Sequence, residues 1–202
     1  MMRTRVILPI FMALTFAISC SEDTDLIEDQ REDIVTFLTT KHSPLLIAQS
    51  SVSSSLESEP EFYSTSGNTT FLYIEDYYNT DRQSRAEIKN GDTIYITFWC
   101  YDFSSFTTPD SGDLYYTNDP LYEDAFIEAG LNVEYWSFEP KKIVLGQGDI
   151  LNAIETALVG CRVGDSIEIY LTYNMAYGSN WVGVTSQEEP MAFFCTIDSI
   201  EN

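Results

Sequence analysis

The stretch LGQGDILNAIETALVGCRVGD, residues 145–165, sets two close glycines ahead of a helix-like run and a second glycine pair behind it. Such glycines can let backbone N–H groups close on a phosphate, or they can simply turn the chain at the floor of an apolar pocket. The phosphate chemistry fails on spacing. A dinucleotide fingerprint needs a third glycine where Leu151 stands, and the G-K-[ST] of a phosphate loop is absent. It fails on charge as well: 10 Lys and Arg oppose 32 Asp and Glu, a net charge of -22 whose field repels polyphosphates, so neither nucleotide nor nucleic acid is expected as a partner. Nucleophilic catalysis has no base to work with. The single histidine, His42, lies in a Ser/Thr-rich stretch and reads as a solvated loop residue, which excludes a Ser-His-Asp or Cys-His centre in the domain. Glu188 and Glu189 are adjacent on an extended loop, where neighbouring side chains point apart, so they read as a solvated rim and not as an acid/base couple. No CxxC is present, and no metal or other cofactor is expected. Cys100, Cys161 and Cys195 each sit in apolar strand or turn contexts and read as buried thiols, with one disulfide as the alternative. What remains is a chain in which 14% of residues are aromatic.

The elements that must position those rings follow from periodicity. In GDTIYITFWCYDF, Ile94, Ile96, Phe98 and Cys100 alternate with Tyr95, Thr97, Trp99 and Tyr101, a strand pattern; TTFLYIEDYYN from Thr70, KKIVLG, SIEIYLTY and PMAFFCTIDSI read the same way. In the opening stretch, Asp149 is placed to cap a helix with Ile150, Leu151, Ile154, Ala157 and Leu158 on one face and Gly160 at its end. TNDPLYEDAFIEAG predicts a short helix within a long insertion, with Asp119 as cap, Pro120 at the first position and Gly130 as stop. Four or five strands with one central amphipathic helix imply an α+β fold, a twisted antiparallel sheet wrapped around that helix.

The N-terminal part has a different texture. MMRTRVILPIFMALTFAISC puts Arg3 and Arg5 before an apolar run too short to span a membrane, and resembles a bacterial lipoprotein signal in which Cys20 carries the lipid. Residues 1–19 then form the signal peptide, and residues 20–69 an N-terminal helix, with Leu26, Ile27, Ile34, Val35 and Leu38 at helical spacing, followed by a Ser/Thr-rich tether. Residues 70–202 form the domain. The expected location is outside the cytoplasm, at the outer membrane through the lipid on Cys20, facing either the periplasm or the surface.

The order strand, LGQGDILNAIETALVGCRVGD, strand, NMAYG, loop, PMAFFCTIDSI resembles the FKBP-type peptidyl-prolyl cis/trans isomerases over roughly residues 91–202. The signal, acidic helix and insertion are similar to those of exported versions in Bacteroidetes-type bacteria. The resemblance implies a pocket in which the Tyr177 hydroxyl hydrogen-bonds the ligand and Ile150 and Leu151 stand at the helix start, Leu151 offering its backbone N–H. Phe193 forms a wall. Phe98 stands for the family's tyrosine, Ile154 for the tryptophan floor, Tyr115 and Tyr116 for a phenylalanine-aspartate pair and Lys141 for a rim aromatic. The loop from Ser179 to Glu189, with Trp181 and Val182, is expected to overhang the pocket. The implied activity is isomerisation of X-Pro bonds in proline-containing polypeptides. The alternative is a catalytically impaired peptide-binding or chaperone module of a surface lipoprotein complex, which Tyr116 and Ile154 favour.

Overall fold

The computed structural model describes residues 19–42, 44–52 and 62–201, so the expected signal segment lies outside the described residues except for Ser19. The chain runs α1 (Ser19–Phe37), β1 (Leu45–Ala48), β2 (Phe62–Ser66), β3 (Thr70–Ile74), β4 (Thr93–Asp102), β5 (Asp113–Thr117), α2 (Glu123–Glu128), β6 (Lys141–Val144), α3 (Asn152–Leu158), β7 (Ser166–Leu171) and β8 (Met191–Glu201). One sheet holds the strands in the order β1-β2-β3-β7-β8-β4-β5, with β6 also paired to β4. Every pairing is antiparallel except β1 with β2.

Period-two alternation distributes the side chains of this sheet between two cores. On one face Ile94, Ile96, Phe98 and Cys100 of β4, Ile167 and Ile169 of β7 and Phe193 and Cys195 of β8 pack against Ala153, Ile154, Ala157 and Leu158 of α3. On the other, Phe71 and Tyr73 of β3, Tyr170 of β7 and Ala192 of β8 meet Ile34 and Phe37 of α1 and Leu38 just beyond it. The second face is aromatic: the Phe37 ring stands edge-on to Phe103 at 5.6 Å and lies 5.9 Å from Tyr170. The mixed α and β architecture expected from the sequence is present, and the sheet is covered on both faces.

Four local expectations are corrected. The segment read as a tether contributes β1 and β2 to the sheet, in register with β3; strands of four and five residues are too short to display a period, and edge pairing through backbone groups is indifferent to serine content. His42 is not solvated. It ends a π-helical turn, Leu38–His42, with its ring 5.0 Å from those of Tyr63 and Tyr73 and its Nε2 3.3 Å from Glu168, which also accepts the hydroxyls of Tyr63 and Tyr170 at 2.9 and 2.8 Å. Burial raises the pKa of both tyrosines, foremost among its causes, so both stay protonated donors. Asp119 caps a 3₁₀ turn, Pro120–Tyr122, so the helix expected there starts only at Glu123, and Leu121 is 87% exposed while Phe126 meets the Phe138 ring at 6.3 Å. Asp149 caps no helix: α3 begins at Asn152 after Leu151, while the Asp149 carboxylate accepts the Val144 N–H at 2.8 Å.

The remaining polar burial pins the turn that enters β7. Asp165, 1% exposed, accepts Arg82 Nε and a terminal nitrogen at 2.9 and 2.8 Å, pairs with Arg85 at 3.2 Å and accepts the Arg162 N–H at 2.8 Å. Arg82 in turn lies over the Tyr77 ring at 4.5 Å. Cys100, Cys161 and Cys195 are buried and free, as the apolar contexts predicted, and burial pushes the Cys100 and Cys161 thiols up to about 12.

Candidate functional site

A cavity opens where β4 changes partners. One edge of β4 pairs with β8 along its length, while the other pairs with β6 at residues 93–96 and with β5 at residues 99–102. Between them the backbone at Phe98 would be left without a ladder partner, and two buried side chains take that role. The Phe98 N–H donates to Asn118 Oδ1 at 2.7 Å, the Phe98 carbonyl accepts Thr117 Oγ1 at 2.7 Å, and Asn118 Nδ2 donates to the carbonyls of Ile96 and Glu139 at 2.9 Å each. The divergence of β5 and β6 leaves a hollow of about 830 Å³ over the α3 face of the sheet.

Its walls are rings and aliphatic side chains. Phe98 and Phe193, neighbours on β4 and β8, stack at 5.4 Å with 15° between planes. Trp136, from the loop before β6, stacks on Tyr116 at 5.6 Å, stands edge-on to Phe98 at 6.4 Å, and donates its indole N–H to the Thr117 carbonyl at 2.8 Å. Ile150, Leu151 and Ile154 close the α3 side, and Tyr177 and Val182 the opposite one. Seven of the sequence-expected pocket residues thus converge, and Val182 joins them. Lys141, expected at the rim, lines the hollow as well.

Tyr115 does not: adjacent strand residues face opposite ways, so with Tyr116 turned inward Tyr115 borders a separate small hollow beside Tyr101 and Pro190. Trp181 is 68% exposed and outside the lining. The side chain of Cys20 lies outside what is described. Sequence reasoning missed Trp136, Tyr135 and Asn118, all of which line the hollow. The run Tyr135-Trp136-Ser137-Phe138, three rings in four residues just before a strand, was the available signal for the first two.

The paired glycines of the opening stretch do bind an anion, and it belongs to the chain. Glu155 on α3, 4% exposed, accepts the N–H groups of Gly146, Gly148 and Asp149 at 2.9, 3.0 and 3.0 Å. Gly146 and Gly148 adopt φ of 86° and 81°, open to glycine at no steric cost, which is what lets three N–H groups of the loop turn toward one carboxylate. The carboxylate fixes the loop that delivers Ile150 and Leu151. The Leu151 N–H has no backbone acceptor among the described residues and so remains available beside the hollow.

Tyr177 is the polar group of the opposite wall. Burial pushes its hydroxyl up to about 12, so it is a neutral donor through the physiological range. The described residues contain no group of three or more His, Cys, Asp or Glu able to hold a metal ion. The arrangement offers a hollow walled by rings and aliphatic side chains, with the Tyr177 hydroxyl and the Leu151 N–H as donors beside them and Lys141 also in the lining. That is suited to seating a cyclic apolar group while holding a carbonyl, and unsuited to nucleophilic attack.

Residues 127–197 match the family of FKBP-type peptidyl-prolyl cis-trans isomerases, and this stretch is a domain of that type. The matched stretch spans less than half of the 202 residues; it contains Trp136, Ile150, Leu151, Ile154, Tyr177 and Phe193 and leaves out Phe98, Tyr115 and Tyr116. At the level of that family the activity is isomerisation of peptidyl-prolyl bonds. No match was found among the curated proteins.

Proposed function

We propose that the protein catalyses cis/trans isomerisation of X-Pro bonds in exported polypeptides. The observation that carries the reading is the convergence of Phe98, Trp136, Ile154, Tyr177 and Phe193 on one hollow beside the Leu151 N–H, within and around the family-matched stretch. An X-Pro amide rotates over a barrier of about 20 kcal/mol, because rotation breaks the resonance of the C–N bond. The half-rotated amide is less polar than the planar one. A pocket of rings that excludes water therefore favours the twisted state over the solvated ground state, with no covalent step required. The pyrrolidine ring seats between Phe98, Ile154 and Phe193, and the Leu151 N–H and Tyr177 hydroxyl hold flanking carbonyls so that rotation is confined to the prolyl bond.

One observation favours a second reading, a peptide-binding module without strong catalysis: the position where the family resemblance implies a carboxylate holds Tyr116, whose hydroxyl is already committed to the protein's own loop. A protease-coupled assay on proline tetrapeptides and a proline-limited refolding assay separate the two. Isomerase activity that falls on Tyr177→Phe supports the first reading; peptide binding without rate enhancement at micromolar protein supports the second.

The same proposal places the domain at a bacterial outer membrane through lipid on Cys20. No helix among the described residues is long and apolar enough to cross a membrane. Metabolic labelling with a fatty acid tests it: label and membrane fractionation should both be lost on Cys20→Ser.

A further inference from the structure

The loop from Gly178 to Glu189 roofs the hollow, and its two ends are held differently. Its base is closed by the Glu188 N–H donating to the Gly178 carbonyl at 3.0 Å and by Gln187 Nε2 on the Ser179 carbonyl at 2.7 Å. It is also tied to α1, where buried Gln30 donates to the Glu188 carbonyl at 2.7 Å and accepts the Tyr173 N–H at 2.8 Å. Its tip is a tight turn, with the Thr185 N–H on the Val182 carbonyl at 3.0 Å. A single side chain from the pocket wall reaches that turn. The Tyr116 hydroxyl donates to the Val182 carbonyl at 2.9 Å and accepts the Val184 N–H at 2.9 Å, using both its hydrogen-bonding capacities on one turn. Between these two contacts lies Gly183 at φ 61°, where an added Cβ would stand 1.8 Å from the Tyr116 hydroxyl oxygen. Only glycine lets the turn sit down on the tyrosine. The ring itself is held from behind by its stack on Trp136.

We infer that Tyr116 is a positioning residue, a latch whose hydroxyl holds the roof loop at a fixed height so that Val182 and Gly183 serve as a rigid wall for the bound polypeptide. The inference rests on the proposed isomerase reading for its kinetic consequence, while the latch itself is read independently of activity. The same hydroxyl is thereby withheld from substrate: at this position the chain has exchanged a pocket polar group for a strut. Because the wall contacts a peptide equally in its planar and twisted states, releasing it weakens binding without changing the rate of the bound complex.

Tyr116→Phe keeps the ring and its stack and removes both bonds. Amide exchange of Val184, followed by NMR on the full mature chain, should speed up about tenfold or more, with the exchange of strand amides such as Phe193 unchanged. On proline tetrapeptides KM should rise about fivefold with kcat within about twofold. Gly183→Ala should raise KM in the wild-type background and much less in the Tyr116→Phe background, since the clash is with the hydroxyl and the strain of a positive φ cancels in the cycle. Unchanged Val184 exchange in Tyr116→Phe, or additive effects of the two substitutions, overturns the latch. Faster Val184 exchange in a protein that isomerises no peptide upholds the latch and overturns the isomerase reading.

Discussion

Replacing Glu155 by glutamine exchanges one carboxylate oxygen for an NH₂ group inside the glycine loop. In the native protein one oxygen takes the Gly148 and Asp149 N–H groups and the other takes Gly146. The amide carbonyl of glutamine can keep the first pair at reduced strength, but its NH₂ then faces the Gly146 N–H, donor against donor. A hydrogen bond to a charged acceptor contributes about 1.5–3 kcal/mol net, and a neutral one about half of that. One charged bond lost and two weakened come to about 3–6 kcal/mol; Gly146 and Gly148 are exposed, so water reaches the freed N–H groups and the expected loss falls to about 2 kcal/mol. For a chain of this size that lowers Tm by roughly 4–8 °C. Glu155→Ala, which removes all three bonds, should lower it further. Urea unfolding followed by tryptophan fluorescence measures both. Because this loop delivers Ile150 and Leu151 to the hollow, KM for a proline peptide should rise in the glutamine variant at temperatures where it stays folded. A glutamine variant within about 0.5 kcal/mol of wild type, or an alanine variant no less stable than the glutamine one, refutes the view that this carboxylate organises the loop.

Asp165→Ala leaves Arg82 buried without its counter-charge and frees the turn before β7, so a loss of about 3–5 kcal/mol is expected in denaturant titrations. Phe193→Leu keeps an apolar group in the core and should cost less than about 1.5 kcal/mol of stability. Removing the ring that stacks on Phe98 should still lower kcat/KM about tenfold in the tetrapeptide assay. The Cys100 and Cys161 thiols, raised by burial from 9.0 to about 12, favour the neutral form in the folded state. Their contribution to stability is therefore complete below pH 9 and is lost as pH rises through 12, which alkaline denaturant titrations of Cys→Ala variants against wild type would show. In the native protein a colourless-to-coloured thiol reagent should register none of these three cysteines at pH 8, and all of them after unfolding.

The strands that face α3 were legible because every second residue is apolar and buried against it, and alternation in Ile94 to Cys100 and Ile167 to Leu171 survives in the sequence. β1, β2 and β5 left no such trace. Each is four or five residues long and sits toward a sheet edge, where pairing is through backbone groups that every residue shares. The covering of the second face by α1 was half legible: Ile34 and Leu38 stood at helical spacing, but nothing in that spacing tells which surface receives them. His42 illustrates the same limit, since its neighbours in the chain are polar and its neighbours in space are Tyr63, Tyr73 and Glu168.

The site was legible in its rings and not in its frame. Phe98, Tyr177 and Phe193 stood out by type and by the motifs around them, yet what makes them a hollow is the divergence of β5 and β6 along one edge of β4, bridged by Asn118 and Thr117. These two have no signature, because an asparagine that substitutes for a strand in a hydrogen-bond ladder looks in sequence like any loop asparagine. The consequence is mechanical. Beyond the pairing of β5 with β4, the insertion is held where Asn118 spans Ile96, Phe98 and Glu139, and Trp136 is bonded to the Thr117 carbonyl beside it. The Trp136 wall therefore depends on the bonds that bridge β4 where its neighbours diverge, so Asn118→Ala should disorder Trp136 and shift its fluorescence even where the stacked pair of Phe98 and Phe193 is left in place.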